Sequence, residues 1–146
     1  MSTVAEILAK KGRTVACTSA DQNVLDAVWE MNDKRIGAVV VVDAERRVRG
    51  MFTERDVLRR VVGAEKLPRD TRVGEVMTEE VACCRPETSI DEVRSVMARH
   101  RIRHLPVCSH DGQLVGIISI GDLNAWDADS KEESIYWLNE YISGTR

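Results

Sequence analysis

The apolar residues of this 146-residue chain recur with the two periods that are typical of helices and strands. Two segments show helical spacing, in which apolar side chains three and four residues apart share one face. Their apolar residues are Val24, Ala27, Val28 and Met31 in the first half and Ile90, Val93 and Met97 in the second. The second segment opens with Ser89-Ile90-Asp91-Glu92, a capping-box pattern that is worth about 1 kcal/mol. We therefore predict one amphipathic helix in each half.

Two strands are predicted after each amphipathic helix. Their ranges are Ala38–Asp43 and Val48–Phe52 in the first half, and His104–Cys108 and Leu114–Ile118 in the second. Val39 to Val42 is apolar throughout, so we expect this strand to be covered on both faces. Asp111-Gly112 lies between the second pair and is a hairpin signal.

Shorter elements complete each half in the order β-α-β-β-α. A short helix (Thr3 to Lys11, or Val73 to Met77) leads into a brief strand near Val15 or Val81. A closing helix begins at Thr53 or at Ser119. One more amphipathic helix is predicted over 130–142, where it would pack either on its own domain or on a partner subunit.

The two halves are copies of each other. Adding 66 to a residue number in the first half gives the matching residue in the second, without a gap. The matches include Val15-Ala16-Cys17 with Val81-Ala82-Cys83, Met31 with Met97, Arg35-Ile36 with Arg101-Ile102, Val41 with Val107, and Gly50 with Gly116. A unit of about 60 residues buries only a modest share of its surface, so the copies are expected to share a core. We predict an α+β fold with repeats at 1–65 and 66–126, packed through their sheets with pseudo-twofold symmetry, and a C-terminal helix in 127–146.

Each repeat carries one polar motif at the point where a strand meets a helix. The motifs are Gly50-Met51-Phe52-Thr53-Glu54-Arg55-Asp56 and Gly116-Ile117-Ile118-Ser119-Ile120-Gly121-Asp122. A helix N-terminus leaves backbone N–H groups unpaired, which suits a polar ligand or phosphate. The hydroxyl and the carboxylate three residues later would also form a helix cap. One residue can serve both roles, and we favour ligand contact because the motif occurs twice.

These motifs, together with Arg101-Ile102-Arg103-His104-Leu105-Pro106-Val107, resemble those of the CBS domain family. The resemblance covers almost the whole chain and implies a tandem CBS pair, often a homodimer, that binds adenosine-containing ligands between its repeats. It implies that Asp56 and Asp122 hold ribose hydroxyls, with Thr53 and Ser119 near ribose or phosphate. A carboxylate matches a cis-diol, and apolar strand residues suit a purine face.

The resemblance also implies which residues enclose the adenine. These are Cys17-Thr18 with Ile36-Gly37-Ala38, and Cys83-Cys84 with Ile102-Arg103-His104, while Pro106 continues the second group. The two copies differ, because Arg55 in the first motif corresponds to Gly121 in the second. Arg103 and His104 likewise correspond to Gly37 and Ala38. We therefore expect two pockets with different phosphate preferences, or one that stays empty.

Composition excludes several other classes of function. Aromatic residues make up 4% of the chain and the net charge is −3, so neither stacking platforms nor a basic surface for nucleic acid is expected. The longest apolar run, Ala38 to Val42, is too short to span a bilayer. The N-terminus lacks the apolar core of a secretory signal, so we expect a cytoplasmic protein without membrane contact.

Cysteine and histidine spacing gives little support to a metal site. Cys17, Cys83, Cys84 and Cys108 include no C-x-x-C pair, and we expect most of them to be buried thiols in a reducing compartment. Cys83-Cys84 is the pair that could be reactive. His100 and His104 have metal-ligand spacing for a helix, but Arg101 and Arg103 between them oppose a cation.

Three functions remain, and we favour the first. It is a non-catalytic regulatory module that senses AMP, ATP or NAD and acts on a regulated protein partner. The second is a structural adaptor dimer with vestigial pockets. The third is a thiol-dependent redox protein, which the sequence supports less because no Cys–His pair is placed to act as nucleophile and base.

Overall fold

A computed structural model describes residues 1–129 of the chain. The first repeat contains α1 Val4–Lys11, β1 Cys17–Thr18, α2 Val24–Lys34, β2 Ala38–Val42 and β3 Val48–Thr53. Strand β3 runs directly into α3, Glu54–Asp56, which continues as a π-helix over Val57–Val62. A 3₁₀ turn, Pro68–Asp70, lies in the linker. The second repeat contains α4 Val73–Val76, α5 Ile90–His100, β4 His104–Cys108, β5 Leu114–Ser119 and a closing helix, α6, over 120–129.

Most of the predicted elements are confirmed within one or two residues. The amphipathic helices are α2 and α5. Ser89 Oγ accepts the Glu92 N–H of α5 at 3.1 Å, as predicted for the cap of this helix. The strand predicted near Val81 is wrong, because Cys84 makes only a single bridge, to Val107. The helix predicted over 130–142 lies outside the described residues.

The two sheets have the same internal register, which confirms the duplication at the level of backbone pairing. Strand β1 is parallel to β2, and β2 is antiparallel to β3 with Val40 opposite Met51. Strands β4 and β5 are antiparallel with Pro106 opposite Ile117, the residues that lie 66 positions later. Each hairpin has a register shift at the end of its first strand. Equivalent sequences have therefore folded into equivalent hairpins, although the sheet of repeat one has a third strand, β1.

The short leading helices are exchanged between the repeats. Val4, Ile7 and Leu8 of α1 are buried in the core of repeat two, which also contains the apolar face of α5. Val73 and Val76 of α4 are buried in the core of repeat one, beneath α2 and β3. The ends of these two helices therefore reach the strand–helix junction of the opposite repeat.

A third group of buried residues joins the two sheets. Ala38, Val40 and Met51 of repeat one pack there with Leu114 of repeat two. The Leu114 N–H also donates to the Arg46 carbonyl at 3.0 Å. The expectation that the repeats pack through their sheets is confirmed, and this packing leaves a cleft beside the shared core.

Candidate functional site

The cleft between the repeats has a volume of about 640 Å³. That volume lies in the range of pockets for small molecules and cofactors. One side is formed by the Thr53–Asp56 end of the first motif and by Gly37. The other side is formed by residues 80–82 and by residues 100–104, which connect α5 to β4. Both repeats therefore contribute to a single site.

Apolar and cationic groups occupy different parts of the cleft. Met51, Val81, Ala82 and Ile102 supply apolar surface. Three exposed guanidinium groups, those of Arg55, Arg101 and Arg103, line the same cleft, together with the carboxylates of Glu54 and Glu80. The arrangement could hold a flat apolar ring and an attached anion, since arginine recognises phosphate oxygens by paired hydrogen bonds.

Asp56 is a buried helix cap in this structure, with 5% of the residue exposed. Its Oδ2 accepts the Thr53 N–H at 3.0 Å and the Thr53 hydroxyl at 3.3 Å. Its Oδ1 accepts the Thr78 hydroxyl at 3.0 Å and lies 3.9 Å from Arg60 Nε. The capping alternative is therefore realised, with Thr53 on Oδ2 and the Thr78 hydroxyl on Oδ1.

Thr78 is held against the motif by its backbone. Its N–H donates to the Met51 carbonyl at 2.8 Å, and the Met51 N–H donates to its carbonyl at 3.0 Å. A Cβ on Gly50 would lie 2.5 Å from the Thr78 carbonyl oxygen. The first glycine of the motif is thus required by a close backbone approach, since only glycine leaves room for it.

Asp122 caps α6 in the same way but has a charged partner. Its Oδ2 accepts the Ser119 N–H at 2.8 Å and a hydrogen bond from Lys11 Nζ at 2.6 Å. Burial raises the pKa of Asp122, but the hydrogen bonds from Lys11 and Ser119 outweigh burial and hold that pKa below its ordinary value. Asp122 is therefore a carboxylate that is already paired with a cation.

His104 lies between the two motifs, at the start of β4. Burial lowers the pKa of its imidazole, and the nearby charge of Lys11 lowers it further, although Asp122 and Glu54 act in the opposite direction. The ring is therefore neutral at pH 7. It offers the cleft one donor and one acceptor without adding charge.

The family model for the CBS domain matches the chain twice, over residues 4–63 and 73–129. The chain belongs to the CBS domain family. It is 34% identical to the CBS domain-containing protein CBSX3, mitochondrial, of Arabidopsis thaliana, over 98% of this chain and 73% of that protein. It is 38% identical to a solved protein with CBS domains from Burkholderia ambifaria, with a TM-score of 0.78 over 99% of this chain and 97% of the other.

A more distant structure shares the fold of this CBS pair. The CBS domain pair of protein MJ0100, solved in complex with 5′-methylthioadenosine and S-adenosyl-L-methionine, has a TM-score of 0.79 and 19% sequence identity. The alignment covers 89% of this chain and 98% of the other. At that identity the likeness concerns the fold alone.

The cleft of the CBS pair brings together half of the site residues that the sequence predicted. Those in its lining are Gly37, Thr53, Arg55, Asp56, Ile102, Arg103 and His104. Five others are instead buried or packed against a core, namely Thr18, Ile36, Ala38, Cys84 and Pro106. Ser119 and Asp122 lie at the start of α6, outside this cleft.

Other lining residues were not singled out by the sequence as ligand contacts. They include Thr78, Glu80, Val81, Ala82 and Arg101. Val81 and Ala82 were visible as part of the repeat match, so the duplication gave a signal for their position. The sequence gave no signal for Thr78, because the contact of Thr78 with the first motif depends on the packing of α4 against repeat one.

The cysteines near the cleft differ in their environments. Cys83 is exposed, and a hydrogen bond with the Cys108 thiol lowers its pKa to about 7, although burial opposes this shift. Burial raises the pKa of Cys84 to about 12, and the neighbouring Cys83 adds to this rise. Cys83 is therefore the thiol of this group that ionises most readily.

The described part of the chain offers neither a cluster of metal ligands nor a helix suited to crossing a membrane. Residues 1–129 contain no group of three or more His, Cys, Asp or Glu side chains that could hold a metal ion. No helix in the same range is long and apolar enough to cross a membrane.

Proposed function

We propose that this CBS pair is a non-catalytic regulatory module that binds an adenosine-containing ligand, such as AMP, ATP or NAD, in the cleft between its repeats. The observation that carries the proposal is the composition of the cleft. Apolar side chains, a helix start with a hydroxyl, and three exposed guanidinium groups face one space of about 640 Å³. A nucleotide presents the complementary groups, namely an apolar ring, a diol and an anion.

Each part of such a ligand has a partner in the cleft. The adenine would pack against Val81, Ala82 and Ile102, with the neutral imidazole of His104 available for a hydrogen bond. The phosphate would meet Arg55 and Arg103 at the rim. A ribose hydroxyl would replace the Thr78 hydroxyl on Asp56 Oδ1, which exchanges one neutral donor for another.

The ligands seen in the MJ0100 pair contain adenosine, and this supports adenosine as the class of ligand here. A ligand in the cleft would touch both repeats, and thereby favour the arrangement of repeats that fits it best. We further propose that this change is passed to a homodimer partner or to a regulated protein. An adaptor with vestigial pockets is the alternative, and it predicts that no nucleotide binds.

Isothermal titration calorimetry with adenosine, AMP, ATP and NAD tests the proposal. Asp56 is a poor choice for substitution because it caps α3, whereas Arg103 is exposed on the cleft. We expect Arg103→Ala to weaken AMP binding about tenfold to a hundredfold, since a hydrogen bond to a charged group contributes about 1.5–3 kcal/mol. Adenosine, which carries no phosphate, should lose much less affinity.

Arg49→Ala is the matched control, because Arg49 is exposed on β3 and does not line the cleft. It should leave the AMP affinity unchanged. If none of the four compounds binds the wild-type protein, the regulatory proposal fails and the adaptor is favoured. If Arg103→Ala and Arg49→Ala have equal effects, the ligand binds elsewhere.

A further inference from the structure

The two motif aspartates are equivalent in sequence, but the groups that approach them are not. With the offset of 66 residues between the repeats, the counterpart of Asp56 is Asp122 and the counterpart of Thr78 is Gly12. In repeat one, Thr78 supplies two hydrogen bonds, from its N–H to the Met51 carbonyl and from its hydroxyl to Asp56. Gly12 has no side chain, and its N–H donates to the Leu8 carbonyl at 2.7 Å within its own helix end. Repeat two therefore lacks both donors.

One ammonium group replaces both donors in repeat two. Lys11 Nζ donates to the Ile117 carbonyl at 2.9 Å and to Asp122 Oδ2 at 2.6 Å. Ile117 is the counterpart of Met51, so Lys11 contacts the same two residue positions as Thr78 does in repeat one. The carboxylate oxygens differ, because Thr78 binds Oδ1 of Asp56 and Lys11 binds Oδ2 of Asp122. Lys11 reaches them because it is the last residue of α1, and α1 is packed on repeat two.

We propose that Lys11 is an internal occupant of the repeat-two site, which keeps Asp122 from a ligand's ribose hydroxyls, so that the CBS pair binds one nucleotide per chain, at the Asp56 cleft. This inference rests on the function proposed above. It deepens that function by assigning a residue that makes the two sites unequal.

The physical reason is the difference between a neutral and a charged hydrogen-bond donor, since Arg60 Nε, at 3.9 Å from Asp56 Oδ1, is beyond hydrogen-bond distance. At Asp56 a ribose hydroxyl would replace the neutral Thr78 hydroxyl, and the backbone bridge of Thr78 would stay in place. At Asp122, Oδ2 already accepts the Ser119 N–H and the Lys11 ammonium. A ribose diol that binds both oxygens of this carboxylate would have to displace the ammonium, and a charge-assisted hydrogen bond is roughly twice as strong as a neutral one. The Ile117 carbonyl would lose the same donor.

The exposure of the pair strengthens this argument. The side chains of Lys11 and Asp122 are 30% and 22% exposed, so the pair is screened less than one on the open surface. Repeat two also has Gly121 where repeat one has Arg55, so it offers no second cation from its motif. Beside this second motif, Lys11 is therefore the cation that a ligand's phosphate would contact.

Counting nucleotide sites in matched lysine variants tests the inference. Lys11→Met gives repeat two the residue type of its counterpart, Met77, and Lys10→Met is the control because Lys10 pairs with Asp129 on the surface. In calorimetry with adenosine, which has no phosphate and so needs no cation at the second site, we expect one site for the wild-type protein and for Lys10→Met. Lys11→Met should show two sites, and Lys11→Met with Asp122→Asn should return to one.

A measurement without ligand tests the pairing of Lys11 with Asp122 even if the protein binds no nucleotide. NMR titration of the Asp122 carboxyl should give a pKa below the ordinary value in the wild-type protein, and a higher pKa in Lys11→Met. If Lys11→Met unfolds, Lys11→Gln takes its place, because glutamine retains a hydrogen-bond donor without the charge. Lys11→Gln should likewise raise the number of ligand sites in calorimetry and the pKa of Asp122 in the NMR titration.

Several outcomes would overturn the inference. A folded Lys11→Met protein with no more sites than the wild type overturns it, whether the wild type binds one nucleotide or none. Two sites in the wild-type protein also overturn it, and a loss of AMP affinity in Lys11→Met would make Lys11 a phosphate ligand. A wild type that binds nothing, with one site in Lys11→Met, would reject the Asp56 cleft but retain the role of Lys11.

Discussion

Asp56 and Asp122 occupy the same position of the repeated motif, yet their carboxylates have different hydrogen-bond partners. Asp56 is almost fully buried and accepts hydrogen bonds from neutral groups of Thr53 and Thr78. Asp122 is more exposed and is paired with the ammonium of Lys11. Because each aspartate also caps a helix, removing either one affects both the fold and any ligand. Residues at the cleft rim separate these effects better.

The pairing of Asp122 predicts a specific dependence of stability on pH. Its pKa is lowered in the folded protein, so its contribution is present above the unfolded pKa of about 3.9 and is lost as pH falls through the folded value. We expect Asp122→Asn to lower the free energy of unfolding at pH 7, and the difference from wild type to shrink below about pH 4. Urea denaturation at a series of pH values measures this.

Asp129→Asn is the control for that series, because Asp129 pairs with Lys10 at a much more exposed site. Its effect should be small at every pH, as is usual for surface ion pairs. A wild-type minus Asp122→Asn difference that stays constant from pH 7 to pH 3 would contradict the ion pair.

At the scale of elements, the exchanged helices determine how each motif is closed. The end of α4 presents backbone to the first motif, through the bridge between Thr78 and Met51. The end of α1 presents side chains to the second motif, through Lys11 and Leu8. The two motif glycines therefore face neighbours of different stiffness.

This difference predicts unequal costs for the same substitution. In Gly50→Ala the new Cβ would lie 2.5 Å from the Thr78 carbonyl oxygen, and backbone there must move. In Gly116→Ala it would lie 2.9 Å from the Leu8 Cδ atoms, which a rotation of that side chain can relieve. We expect Gly50→Ala to lower the free energy of unfolding by about 2–3 kcal/mol, and Gly116→Ala by about 1 kcal/mol.

Thermal and urea denaturation of the two variants measure these costs side by side. Each variant is the control for the other, since the mutations are identical and lie at equivalent positions. Equal losses of stability would show that the Thr78 bridge yields as easily as the Leu8 side chain.

The elements themselves were well predicted, and the reasons are local. The apolar spacing of α2 and α5 and the apolar run of β2 are properties of short segments. The strand near Val81 was wrongly predicted by analogy with the first repeat. The corresponding backbone pairs with β4 only at Cys84, which the apolar pattern of Val81-Ala82 does not reveal.

At the scale of the whole molecule, some apolar surface remains uncovered in the described chain. Trp29 of α2 is 55% exposed, and Leu58 and Val62 of the π-helix are 66% and 61% exposed. Large apolar side chains of this kind are typical of surfaces that meet another protein. They support the homodimer that the family resemblance implies, which stays a prediction.

Replacing one of these residues tests the dimer. We expect Leu58→Glu to convert a dimer to a monomer, since a buried charge without a partner opposes association. Sedimentation equilibrium measures the change in mass. Leu67→Glu is the control, because Leu67 is equally exposed but lies in the linker. A wild-type protein that is monomeric, or a Leu58→Glu dimer of unchanged affinity, would contradict the prediction.

The sequence by itself determined the repeated elements, the duplication and the family, because these depend on residues close together in the chain or on a constant offset of 66. Only the tertiary structure decided which residues share the cleft and which group faces each aspartate. Lys11 lies 111 positions before Asp122, and Thr78 lies 22 positions after Asp56. Such contacts follow from the exchange of α1 and α4, which the packing of the two cores determines and which no local pattern encodes.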